Sequence, residues 1–185
     1  MNDTVNKLNT TFDEADCLAD KATVEAALDR MALAITERFS ELDPVVYAVM
    51  NGGLVLAGSL LPRLPFPLEL AYLHATRYGN ALKGHALDWR VPPTLPPEGR
   101  HVLVLDDILD EGLTLAAIVD TLRTQGAASV SSAVLVHKCH DRKAYPGMRA
   151  DFCGLDIEDR FLFGYGMDYK GYWRNAPGIF AVKGH

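Results

Sequence analysis

Cysteine, long apolar runs and positive charge are all scarce in this chain. Three cysteines stand among 185 residues, Cys17, Cys139 and Cys153. An odd number without metal or disulfide spacing argues against a disulfide scaffold and points to a reducing cytoplasm. No apolar run reaches the roughly 20 residues of a membrane helix. The first twenty residues carry Asp3, Asp13, Glu14, Asp16 and Asp20, which fits neither a signal nor a transit peptide. Lysine and arginine number 18 against 24 acidic residues, a net charge of −6. That balance argues against wide nucleic-acid binding and still permits a local basic pocket for a small anion. No repeat or low-complexity tract interrupts the chain.

Against these absences stands ordinary globular material, 49% hydrophobic and 23% charged. The length suits one domain with a substantial core. Residues 1 to 20 are polar, a loose arm or irregular helix. Thr23 has the character of an N-cap, and Leu28, Met31, Ala32, Ile35 and Phe39 follow at helical spacing. One apolar stripe of that kind packs on a sheet. Val45 to Met50 reads as a buried strand ended by Asn51-Gly52-Gly53. Leu54 to Leu61 reads as a helix stopped by Pro62, and Leu68 to Leu73 as the next strand. From Thr76 to Arg100 no period persists and prolines cluster, so a long functional loop is expected.

The most informative segment runs from Val102 to Leu115. Val102-Leu103-Val104-Leu105 suits a strand buried on both faces of a parallel sheet. Asp106 and Asp107 follow where that strand emerges, then a turn holding Gly112, then a helix from Thr114 to Thr124 closed by Gly126. The turn's free N–H groups and the helix dipole can hold a phosphate. The two aspartates can hold sugar hydroxyls or a divalent cation. A ligand with phosphate at one end and ribose at the other satisfies both halves. Val130 to Val136 is a further strand, and short β pieces follow near Phe152, Phe161 and Ile179. Alternating strands and helices imply an α/β fold: a doubly wound, mostly parallel sheet with helices on both faces, whose ligands bind beyond the carboxyl ends of the strands. A small flanking hood subdomain would be built from residues 151–185 and part of the N-terminal arm, beside a core of about 23–150 in one domain, 1–185.

The segment Asp106-Asp107-Ile108-Leu109-Asp110-Glu111-Gly112-Leu113-Thr114 resembles the phosphoribosyl pyrophosphate motif of type I phosphoribosyltransferases, in the hypoxanthine–guanine branch. Residues 151–157 and Arg160 to Tyr169 resemble that branch's C-terminal signature. The resemblance runs from near residue 20 to residue 183. It implies a purine salvage enzyme that joins hypoxanthine or guanine to phosphoribosyl pyrophosphate, with magnesium. Asp106 and Asp107 would bind the ribose hydroxyls, and residues 110 to 114, with the Thr114 hydroxyl, the 5-phosphate. Asp110 would act as acid–base at purine N7. Asn51, Gly52 and Arg174 would hold the pyrophosphate, Asn51 standing where the family commonly has lysine. Lys138 would donate to the purine 6-oxo group, Phe161 would stack on the ring, and Leu162 would bond the purine edge. Asp106, Asp107 and Asp168 are the implied metal residues, and Arg77 with Tyr78 would open a hood loop. Glu111 departs from the family threonine. The implied partners are small molecules, with no nucleic acid and no membrane, in a homodimer or homotetramer. His137, Cys139 and His140 sit too close together, without distant partners, to be read as a metal site. The rivals are a xanthine or pyrimidine phosphoribosyltransferase, and a nucleotide-sensing regulator of the same fold.

Overall fold

The computed structural model describes residues 3–77 and 87–184. Strands β2 (Val45–Val49), β3 (Glu69–Arg77), β4 (Leu87–Val91), β5 (His101–Leu109), β6 (Ser129–Cys139) and β7 (Phe152–Glu158) form one six-stranded sheet. Its order is β4-β3-β2-β5-β6-β7, parallel throughout except for β4, which runs antiparallel to β3. Helices α2 (Lys21–Phe39) and α3 (Gly53–Leu60) cover one face, and α4 (Leu113–Thr124) covers the other.

The two-sided burial follows from strand alternation. Leu103 and Leu105 of β5 join Val46 and Ala48 of β2 under α2 and α3. Val102 and Val104 join Val45, Tyr47 and Val49 under Leu115, Ile118 and Leu122 of α4. The α2 stripe is as expected: Leu28, Met31, Ala32, Ile35 and Phe39 are all buried.

Several boundaries differ from the sequence reading. Asp20, not Thr23, caps α2, accepting from the Thr23 N–H at 2.8 Å and its hydroxyl at 2.7 Å. The expected loop from residue 76 contains β4, whose Leu87, Trp89 and Val91 alternate with exposed Asp88 and Arg90. The N-terminal arm is ordered into α1 (Asp3–Asp13) and β1 (Asp16–Ala19). Strand β5 continues through Asp106 and Asp107 to Leu109. It gains ladder partners from β6 beyond the point where β2 has ended.

A second, antiparallel sheet has the order β1-β9-β8, with β8 (Leu162–Phe163) and β9 (Ile179–Ala181). Phe12 of α1 stacks on Trp173 at 4.8 Å, and the Trp173 indole N–H donates to the Leu8 carbonyl at 2.9 Å. The arm thus helps build the small sheet. Of the C-terminal β pieces, β7 stays in the main sheet, paired in parallel with β6 from Ala133 to Cys139.

Candidate active site

At the carboxyl ends of β2, β5 and β6 lies a cleft of about 720 Å³. Its floor is set by register. Ala48 pairs with Leu105, so the chain leaving β2 passes Asp106 and Asp107 on the longer β5. Gly52 lies so close to Asp107 that a Cβ there would stand 2.2 Å from a carboxylate oxygen. Any side chain at 52 would displace the Asp107 carboxylate, so glycine here preserves its position. Gly166, at φ +110, abuts the Gly52 carbonyl from the opposite side.

Asp107 is 8% exposed, and its carboxyl is pushed up by burial. Asp106 is pushed well above the usual carboxylate range by burial and by the neighbouring charge of Asp107. Arg174 partly answers this crowding. Its guanidinium lies 3.7 Å from Asp107, 2.6 Å from Asp168, and donates to the Gly166 carbonyl. The other Asp168 oxygen accepts the Gly171 N–H at 2.6 Å.

The next wall is the turn from Asp110 to Thr114. Gly112 adopts φ +81 as the cap of α4, a left-handed conformation that glycine takes without steric cost. The first α4 turn, whose N–H groups lack partners within the helix, lines the cleft through Leu113, Thr114 and Leu115. Glu111 is exposed beside them, within the electrostatic reach of Arg142.

Opposite stands Lys138, near the end of β6. Its ammonium is 3.2 Å from both Asp110 and Asp159, and Asp159 is gripped in turn by Arg142 at 2.7 Å. Burial alone would raise Asp110. Hydrogen bonds from His140 and Lys138 outweigh it and hold its carboxyl below the ordinary value. Phe161 (48% exposed) and Leu162 border the same cleft. A glycine turn at a helix N-terminus, an acidic floor, a cation and an exposed aromatic therefore face one space.

Residues 14–170 match the family model of the phosphoribosyl transferase domain. The chain belongs to the phosphoribosyltransferase family. It is 31% identical to the hypoxanthine-guanine-xanthine phosphoribosyltransferase of Tritrichomonas foetus, over 90% of each chain. It is 30% identical to the hypoxanthine-guanine phosphoribosyltransferase of Bacillus subtilis, over 90% of this chain and 92% of that one. A solved hypoxanthine-guanine-xanthine phosphoribosyltransferase superposes with a TM-score of 0.82 at 30% identity, over 91% of this chain and 96% of that one.

In this phosphoribosyltransferase the cleft gathers Asn51, Gly52, Asp106, Asp107, Asp110, Glu111, Gly112, Leu113 and Thr114 on one side. Lys138, Phe161, Leu162, Asp168 and Arg174 close the other. Arg77 ends β3, and Tyr78 lies outside the described residues, so the hood-loop pair is not placed.

Sequence reasoning missed Arg90 and Arg142, which also line the cleft. Arg90 was hidden because the Leu87-Trp89-Val91 alternation of β4 was read as irregular. It also assigned no role to His140 and Lys143. Lys143 donates to the carbonyls of Leu109, Asp110 and Lys138 at 3.2, 2.6 and 2.6 Å, tying the Asp110–Thr114 turn to the end of β6. Both histidines do acquire distant neighbours, contrary to the sequence reading: Asp156 of β7 lies within 4.8 Å of donor atoms on His137 and Cys139, and Asp110 and Asp159 lie within the same range of His140. Arg149 already holds the Asp156 carboxylate at 2.9 Å, so that group supplies its own cation.

Proposed function

We propose that the chain transfers the 5-phosphoribosyl group from phosphoribosyl pyrophosphate to hypoxanthine or guanine, releasing pyrophosphate and the nucleoside 5-monophosphate. The observation that carries this reading is the single cleft in which a glycine turn at a helix N-terminus, an acidic pair and a purine-sized wall meet. The names of the Tritrichomonas foetus and Bacillus subtilis relatives support the same base class.

The 5-phosphate sits on the amides of residues 110–114 and the Thr114 hydroxyl, where the α4 dipole favours an anion. Asp106 and Asp107 hold the ribose hydroxyls. As the anomeric bond breaks, positive charge develops on the ring, and the two carboxylates on the cleft floor stabilise it. Asn51, Gly52 and Arg174 face the pyrophosphate. Lys138 donates to the purine 6-oxo group, a preference that disfavours adenine, whose amino group would meet an ammonium. Phe161 stacks on the ring, Leu162 bonds its edge through the main chain, and Asp110 takes the proton from N7 as N9 attacks.

Magnesium fits this donor set. Asp106, Asp107 and Asp168 offer hard carboxylate oxygens lining one cleft. When bound, the ion neutralises the departing pyrophosphate, with most of its ligands from substrate oxygens and water. Among the described residues no helix is long and apolar enough to cross a membrane. Three free thiols support a cytoplasmic setting, and exposed Leu54, Leu70 and Tyr72 support self-association as a homodimer or homotetramer.

The test is a base panel of hypoxanthine, guanine, xanthine, adenine and uracil with magnesium and phosphoribosyl pyrophosphate. Turnover of the 6-oxopurines alone is the expected result. Turnover of uracil, or of no base, overturns the reading.

A further inference from the structure

His140 stands just beyond β6 with its side chain only 4% exposed, and its Nε2 lies 2.6 Å from Asp110 Oδ1. Its Nδ1 accepts the main-chain N–H of Arg142 at 3.0 Å. A ring nitrogen that accepts such a bond carries no proton, so the imidazole proton sits on Nε2, and Nε2 donates to Asp110. The second Asp110 oxygen receives Lys138 at 3.2 Å. One donor on a carboxylate leaves it free to swivel, whereas two donors on different oxygens fix its plane. The main chain beneath is held too, through Lys143 on the Asp110 carbonyl and the Ala144 N–H on the Glu111 carbonyl at 2.7 Å.

We infer that His140 is a positioning residue for Asp110: its Nε2–H captures one carboxylate oxygen and so aims the other, beside Lys138, at the purine. The inference rests on the role of Asp110 proposed above. Asp110 is faced by Lys138 and His140 from β6 and the chain beyond it, by Arg142 and Lys143 from that same chain, and by Asp159 after β7. Glu111 is its neighbour on its own turn. Lys138 already satisfies its own oxygen, so removal of His140 leaves Oδ1, on a side chain 47% exposed, to mobile water in place of a fixed donor. The base then rotates away from its productive orientation, and it also becomes easier to protonate.

The decisive comparison is His140→Ala against His140→Gln, since a glutamine amide can place an N–H where Nε2 stands. His140→Ala lowers kcat by about 10- to 100-fold, the order of loss for a misplaced reacting group. The Michaelis constant for phosphoribosyl pyrophosphate changes little, and the acid limb of the kcat profile moves to higher pH. His140→Gln restores most of both. In an Asp110→Asn background, His140→Ala brings no further loss, because it acts through a group already removed. A glutamine variant as slow as the alanine one, or full additivity with Asp110→Asn, overturns the inference. A second readout needs no variant and no turnover: nitrogen chemical shifts of the His140 ring at pH 8. The Nε2–H tautomer supports the inference and the Nδ1–H tautomer overturns it. A wild-type protein inactive on every base overturns the proposed function instead, and leaves that tautomer result standing on its own.

Discussion

At the residue scale, the site divides into an acidic floor and a cluster of carboxylates paired with cations. Asp106 and Asp107 crowd together on the floor, while Asp110 is drawn down by two donors. Asp110→Asn should therefore spare nucleotide binding and lower turnover by about 10²- to 10⁴-fold, the usual worth of a placed acid–base group. Steady-state rates beside nucleotide titrations check this, and near wild-type turnover removes Asp110 from the chemistry. Lys138→Ala should raise the Michaelis constants for hypoxanthine and guanine while leaving that for phosphoribosyl pyrophosphate little changed. Equal losses for both substrates would mean that Lys138 serves the Asp110–Asp159 cluster rather than the base. Glu111 is exposed at the phosphate turn, where a carboxylate repels phosphate by about 1 kcal/mol in water, more as water is excluded. Glu111→Thr should lower the Michaelis constant for phosphoribosyl pyrophosphate several-fold. A rise instead would show Glu111 acting favourably, through Arg142 or a magnesium water.

At the element scale, the turn before α4 is held from within and from outside. Its first support is Gly112, whose φ of +81 and contact with Met148 leave no room for a side chain. The second is Lys143, whose ammonium is shared by three main-chain carbonyls from β5, the turn and β6. Burial disfavours the charged form and lowers the pKa of that ammonium. Lys143→Met removes the donor and strands half-buried carbonyls. The expected cost is about 1–3 kcal/mol, read as a shift in denaturant midpoint with unchanged slope. An unchanged midpoint would mean that water replaces the ammonium and the clamp is dispensable.

At the scale of the whole molecule, the small sheet is fastened to the main one through Tyr165, whose hydroxyl donates to Glu25 of α2 at 2.6 Å. Glu25 in turn pairs with Arg63 beyond α3. Burial, then the Glu25 carboxylate, pushes the Tyr165 phenol from 10.0 to about 12. A folded-state pKa raised in this way contributes stability that is full below pH 10 and is lost as pH climbs toward 12. Tyr165→Phe should be less stable at pH 8 and should lose less stability over that alkaline window. Parallel stability curves for the two proteins would show that Tyr165 does not govern it.

Much of this molecule is written locally. The strand-then-acid run of residues 102–107, the glycine turn and the α2 stripe all declare themselves through short-range periodicity and backbone preference, and with them the α/β class and the residues that line the cleft. Ladder ends, edge strands and long-range partners do not. Strand β4 carries its alternation in only five residues beside clustered prolines, and β1 becomes a strand because β9 lies beside it. His140 shares the strand parity of Lys138, yet nothing local announces that Asp110, thirty residues earlier, will meet it. Local patterns specify which backbone a segment adopts. Only the packed sheet, by bringing the ends of β5 and β6 to one cleft, decides which charges face one another.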